Sequence, residues 1–330
     1  MINNFLSRKS IICILFLLLC IGEHSIGQFS YPFDKETQIT LQDSALGTTA
    51  VINLPAPLNQ MSEKRKTTLV FYALPNGNSV EWTMGKKMDT GDDWHYDIQH
   101  IAAQTRWLRS QLPEENLVVI YLINTLKAWP AWKRSRTDGP QKIRQWIDSL
   151  TQRFARWKPD VVLNSHSGGG SLIFGYLDAV TEIPEHISRI AFIDSEYGFE
   201  DSLHTAKLSR WLMRSRKHHL IALAYNDSVV IYNGKPLVSP TGGTWWRTQW
   251  MQRSLARDFP FTSAMDTALR YFTSLSNRID IRLKINPEGK IFHTEQVARN
   301  GFIHSLLSGT KLAEKAYRYW GDWVYRDYIR

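Results

Sequence analysis

The chain has 330 residues, a formal net charge of +9, and 43% hydrophobic against 22% charged residues. That balance suits a packed globular protein and excludes a disordered one. Its two cysteines, Cys13 and Cys20, both lie in an apolar N-terminal stretch. If that stretch is removed no thiol remains, which excludes a disulfide scaffold, a cysteine nucleophile, a zinc–thiolate site and an iron–sulfur cluster.

Arg8 and Lys9 precede an apolar run from Ile11 to Ile21, and the small residues Ser25 and Gly27 flank Ile26. A basic start, a short apolar run and small residues at a cleavage site are the parts of a secretory signal peptide. The run is shorter than the roughly 17–25 residues that a membrane-spanning helix needs. The expected organisation is therefore a signal peptide over 1–27 and one domain over 28–330, in a secreted or periplasmic protein with no stable membrane span after processing.

Early strands are expected over Gln38–Leu41 and Thr49–Leu54. Thr67–Ala73 (TTLVFYA) reads as a buried strand, stopped by the turn residues Pro75-Asn76-Gly77-Asn78. The spacing of Ile98, Ile101, Ala102, Trp107 and Leu108 predicts a helix over Tyr96–Gln111. Leu117–Ile123 is a second buried strand, Gln141–Trp157 a helix ended by Pro159, and Asp160–Leu163 a third strand. A helix over Ser171–Val180 follows. Arg189–Ile193, Leu220–Ala224 and Ile279–Ile285 read as further strands, with a long helical stretch over Thr244–Ser276 and a final helix over Ser305–Arg318. Short apolar strands alternating with helical patterns imply an α/β fold with a mostly parallel central sheet and helices on both faces.

The segment with the most chemical content is Ser165-His166-Ser167-Gly168-Gly169, between the strand DVVL and a helix. A tight strand-to-helix turn lifts a serine oxygen above the carboxyl edge of a sheet, and it requires small residues two before and two after the serine. Ser165 and Gly169 meet that requirement, and the Gly168 amide would face a developing oxyanion from the start of a helix. In this turn and in its order of elements, the chain resembles the α/β-hydrolase superfamily.

The resemblance implies a serine nucleophile followed in the chain by an acid and then a histidine. Ser167 takes the first role. His304, just before the expected last helix, matches the position of the base, and His293 is the competing candidate. Asp227, after the strand LIALA, occupies the usual slot of the acid. Asp194 and Glu196, after the preceding strand, occupy a slot that some members use. The second oxyanion donor would come from Asn76 or Gly77, although the familiar His-Gly opening of that loop is absent.

The expected function is hydrolysis of an ester, or less readily an amide, through an acyl-enzyme on Ser167, with a small-molecule or glycan-linked ester as substrate. No cofactor and no metal are implied, since Asp92-Asp93-Trp94-His95 has no second matching ligand pair. The basic residues are scattered rather than blocked, so nucleic acid is not an expected partner. The alternative is a non-catalytic binding protein of the same fold. Its glycan or peptide cleft would be lined by Trp82, Trp94, Trp129, Trp132, Trp245, Trp246 and Trp250, all expected in loops or insertions. Sequencing of exported protein is expected to begin at or close to Gln28, and an intact N-terminus held in a membrane fraction would refute the signal-peptide reading.

Overall fold

The computed structural model describes residues 27–30 and 36–330. The expected leader sequence up to residue 26, with both cysteines, lies outside the described residues. Among the described residues no helix is long and apolar enough to cross a membrane.

Thirteen strands are present among the described residues: β1 (Gly27–Ser30), β2 (Thr37–Asp43), β3 (Thr48–Leu54), β4 (Lys66–Ala73), β5 (Glu115–Asn124), β6 (Asp160–His166), β7 (Ile187–Ile193), β8 (His219–Tyr225), the two-residue β9 (Ile231–Tyr232) and β10 (Lys235–Pro236), β11 (Thr262–Met265), β12 (Leu269–Ser274) and β13 (Ile279–Lys284). Eleven of them form one sheet in the order β1-β2-β3-β5-β4-β6-β7-β8-β13-β12-β11, and β9 and β10 pair as a separate hairpin. From β5 to β13 the neighbours are parallel, and both flanks are antiparallel. The fold is α/β with a mostly parallel central sheet.

The helices are α1 (Val80–Met84), α2 (Ile101–Gln111), α3 (Trp129–Arg134), α4 (Gly139–Gln152), α5 (Gly170–Asp178), α6 (Asp201–Arg214), α7 (Thr244–Leu255), α8 (Glu295–Ala298) and α9 (Gly301–Leu307). They cover both faces of the sheet. Side chains alternate along a strand, and β4 shows the result. Leu69, Phe71 and Ala73 join the apolar core under α3 to α7, while Val70 and Tyr72 join the core under α2 and α9. A strand that must be apolar on both faces reads as a continuous hydrophobic run, which is why TTLVFYA and LVVIYLI stand out in the sequence.

Two expected helices are corrected. The stretch Thr244–Ser276 is helical only to Leu255, and the rest includes the edge strand β11 and its neighbour β12. Pro260 has no amide to continue a helix. Asp266 then closes a turn by accepting from the amides of Ala268 and Leu269, each at 2.7 Å. The last helix runs over Gly301–Leu307 rather than 305–318, and Gly309 behind it has a positive φ of 72°, a conformation suited to a helix stop.

The sheet and α5 approach closely at the strand-to-helix turn. A side chain at Gly169 would overlap the carbonyl of Ala73, and one at Gly170 would overlap the carbonyl of Ser195. Gly170→Ala is therefore expected to lower stability by about 1–3 kcal/mol through this overlap. Denaturant unfolding checks it, and an unchanged midpoint would show that the contact yields freely.

Candidate active site

Ser167 follows directly on β6 and has φ 55°. This left-handed conformation is costly for a residue with a side chain and persists only where surrounding structure imposes it. Here the turn is clamped from both sides. Ser165 is fully buried with its hydroxyl 2.8 Å from that of Ser195, and the two glycines after Gly168 lie against backbone carbonyls. Ser167 itself is only half-buried, at the carboxyl end of β6.

Register also brings Asp194 level with Ser167. His166 pairs with Ile193 across β6 and β7, so the next residues, Ser167 and Asp194, leave the sheet at the same level. Asp194 also has a positive φ, 47°, and its amide donates to Leu223 O at 2.6 Å. The Asp194 carboxylate is fully buried, and its Oδ2 is hydrogen-bonded to Nδ1 of His293. The His293 ring lies against that of His166, tilted by 33° with centroids 4.7 Å apart, and Nε2 of His166 is bonded to the carbonyl of His293 at 3.1 Å. His293 is thus anchored to the residue preceding Ser167 and to the carboxylate level with it. Burial, followed by the neighbouring His293, pushes His166 well below the usual imidazole range, so His166 is neutral and donates from Nε2.

His304 is corrected. It lies inside α9, fully buried, with Nδ1 3.0 Å from Tyr317 Oη and Nε2 2.9 Å from Asp280 Oδ2. Both ring nitrogens are taken, so neither is free for a serine hydroxyl. The register separates them too. Asp280 pairs with Ile221, Ile221 with Ala191, and Ala191 with Asn164. That level is three residues before Ser167, or about 10 Å along the strand. Burial and the nearby Arg282 lower the His304 pKa. Burial disfavours the Asp280 anion, yet the bond to His304 and the Arg282 charge hold its carboxyl well below the usual range. The pair belongs to the core.

Asp227 is corrected as well. It sits after β8, but its carboxylate turns to the start of α7 and accepts from the amides of Thr244 at 2.8 Å and Trp245 at 3.4 Å. This is a helix-start carboxylate, and it makes no bond to a histidine among the described residues. Burial and then the Asp194 charge raise its pKa to about 6. Glu196 is fully buried, takes the Ser195 amide on Oε2 at 2.9 Å and leaves Oε1 without a partner. Burial, with Asp194 second, drives its pKa well above the usual range, which favours the neutral acid and makes it a poor partner for an imidazolium.

Of the two residues expected in the oxyanion loop, the structure brings Asn76 to the site. A side chain at Gly168 would overlap the Asn76 side-chain amide. The Gly77 amide is already donated to Lys127 O at 2.7 Å, which removes it as an oxyanion donor. The Gly168 amide is in the first turn of the helical segment, where amides have no intrahelical acceptor.

The tryptophans do not line a common cleft as expected. Trp129 and Trp132 are buried in the core under α3, and Trp245, Trp246 and Trp250 lie along α7. His95 is stacked between Trp82 and the exposed Trp94, with centroids 4.2 and 3.9 Å away.

No protein-family profile and no curated protein matches this sequence. Among solved structures the chain is similar to a thermostable esterase at 12% identity and TM-score 0.48, covering 83% of this chain and 63% of that one. It is similar to a poly(3-hydroxybutyrate) depolymerase from Bordetella parapertussis at 14% identity and TM-score 0.40, over 67% and 77% of the two chains. It is also similar to an acylaminoacyl peptidase from Pyrococcus horikoshii at 9% identity and TM-score 0.40, over 94% and 45%. The chain spans less than two thirds of the length of the first and the last of these.

The raised Asp227 pKa has a signed consequence. Between 3.8 and about 6 the folded chain holds more protons than the unfolded one, so this group makes folding less favourable as pH rises through that window. Two units correspond to about 3 kcal/mol. The stability difference between Asp227→Asn and the parent is therefore expected to move in favour of the variant by up to that amount from pH 4 to pH 8. Urea unfolding across the range tests this, and a difference independent of pH would contradict it.

Proposed function

We propose that the protein is an exported serine hydrolase cleaving esters, with Ser167 as nucleophile, His293 as general base and Asp194 as the acid. The observation that carries this reading is the hydrogen bond of the buried Asp194 to His293, beside a serine in the left-handed conformation, level with Asp194 at the sheet's carboxyl edge. With Nδ1 of His293 directed to Asp194, Nε2 has no hydrogen-bond partner among the described residues and is free for the Ser167 proton.

In this reading Ser167 Oγ attacks the ester carbonyl carbon as Nε2 of His293 takes the hydroxyl proton. The Gly168 amide and the Asn76 side of the 75–78 loop face the oxygen that becomes negative. Collapse breaks the bond to the alcohol, which leaves with the proton from His293. Water then gives its proton to His293 and attacks the acyl-serine, releasing the acid and restoring the hydroxyl. Asp194 fixes the histidine tautomer and stabilises the imidazolium that forms in each half. Esters are favoured over amides because the alcohol is the easier leaving group. Export rests on the N-terminal sequence.

Reaction with a fluorophosphonate probe and turnover of p-nitrophenyl acetate test the assignment. Labelling is expected in the parent and not in Ser167→Ala. His293→Ala and Asp194→Asn should each lose on the order of 10⁴-fold in turnover, whereas His304→Ala should lower stability and cost far less per folded molecule. Labelling that survives Ser167→Ala would refute the nucleophile. A dead His304→Ala with an active His293→Ala would restore the sequence-based base.

A further inference from the structure

The Asp194 carboxylate has two oxygens, and only one faces His293. The other, Oδ1, is hydrogen-bonded to the hydroxyl of Thr244, the first residue of α7. Thr244 is fully buried. Its Oγ1 also lies 3.3 Å from Oδ2 of Asp227, but a hydroxyl has one proton to donate, and the closer acceptor is Asp194. Asp227 is satisfied instead by the backbone amides of Thr244 and Trp245. Gly243 makes room for this, since a side chain there would overlap the Asp227 carboxylate.

The surroundings make the hydroxyl consequential. Around Asp194 lie Glu196, Asp227, Tyr197, Tyr225 and Tyr319, none of them cationic. Among the described residues the ion pair of Asp194 is with His293. A buried carboxylate oxygen without a donor is costly, so Oδ1 depends on Thr244, and the orientation of Oδ2 follows from where Oδ1 is held.

We propose that Thr244 is a positioning residue of the hydrolytic site. Its hydroxyl orients Asp194 towards His293, and Asp227 anchors Thr244 by holding the first turn of α7. The carboxylate after β8 thus acts on the site through the backbone of a helix rather than through the histidine. This rests on the Ser167–His293–Asp194 reading above.

The test is steady-state kinetics of Thr244→Val, which removes the hydroxyl and keeps the shape, and of Thr244→Ser, which keeps the hydroxyl. Thr244→Val is expected to lower kcat by about ten- to hundredfold, the scale of a lost hydrogen bond to a charged group. KM should stay within about twofold, since the contact is not with substrate. Losing a donor leaves Asp194 a stronger acceptor for the imidazolium, so the acid limb of kcat/KM should move to higher pH. Thr244→Ser should restore both. Wild-type kcat and an unmoved acid limb in folded Thr244→Val would overturn the proposal, as would a loss confined to melting temperature. If Thr244→Val does not fold, Thr244→Cys, with its weak donor, should fall between the valine and serine variants, and full activity there would overturn it. Asp194→Asn run alongside separates the two levels. A fully active Asp194→Asn refutes the triad itself, whereas a dead Asp194→Asn beside a fully active Thr244→Val refutes only the role of Thr244.

Discussion

The left-handed backbone of Ser167 is the constraint on which the site depends. A residue with a side chain adopts that conformation only under compulsion, and the compulsion is steric. The Gly169 and Gly170 α-carbons lie against the carbonyls of Ala73 and Ser195, and the buried Ser165 hydroxyl meets that of Ser195. The end of β4, the end of β7 and the start of α5 are thereby locked around one turn. The same contacts that strain Ser167 also bring the Asp194 segment beside it.

Electrostatics divide the carboxyl groups near the site into different states. Asp194 is paired with His293 and bonded to Thr244. Glu196, without a cation and with one oxygen unpartnered, is pushed by burial towards its neutral form. Asp227 lies between these cases, with backbone amides for donors and a pKa of about 6. Three acidic side chains within a few residues of two strand ends thus differ because each meets a different set of donors. Their residue types alone would not separate them.

That difference also explains how much was legible beforehand. The strands β4, β5, β6 and β8 could be read because burial on both faces demands an unbroken apolar run. The strand-to-helix turn at Ser167 could be read because its steric rule is local. The outer strands β11 and β12 could not. They are half-exposed, they carry no such run, and Pro260 and Asp266 were the available signs that the helix had ended. For the proposed triad, chain order alone admitted Asp194, Glu196 or Asp227 and His293 or His304. Choosing between them requires knowing that Asp194 leaves β7 level with Ser167, and that His304 is consumed by Asp280 and Tyr317. Register and partner occupancy are three-dimensional facts that spacing does not encode. Thr244 carried no signal, since a threonine at a helix start is ordinary.

The pairing of His166 with Ile193 also bears on which parts of the chain are free to vary. Ser167 and Asp194 each stand one residue beyond the same rung of the parallel ladder, so the gap between them is set by strand spacing and not by any loop. Segments that enter β6 and β7 from the amino side, such as 181–186, do not set that gap. The exits are different. A single residue added between Ile193 and Asp194 would carry the carboxylate past its rung and turn it to the opposite face of the sheet. The architecture therefore separates a forgiving edge from an unforgiving one, with all of the proposed chemistry on the second.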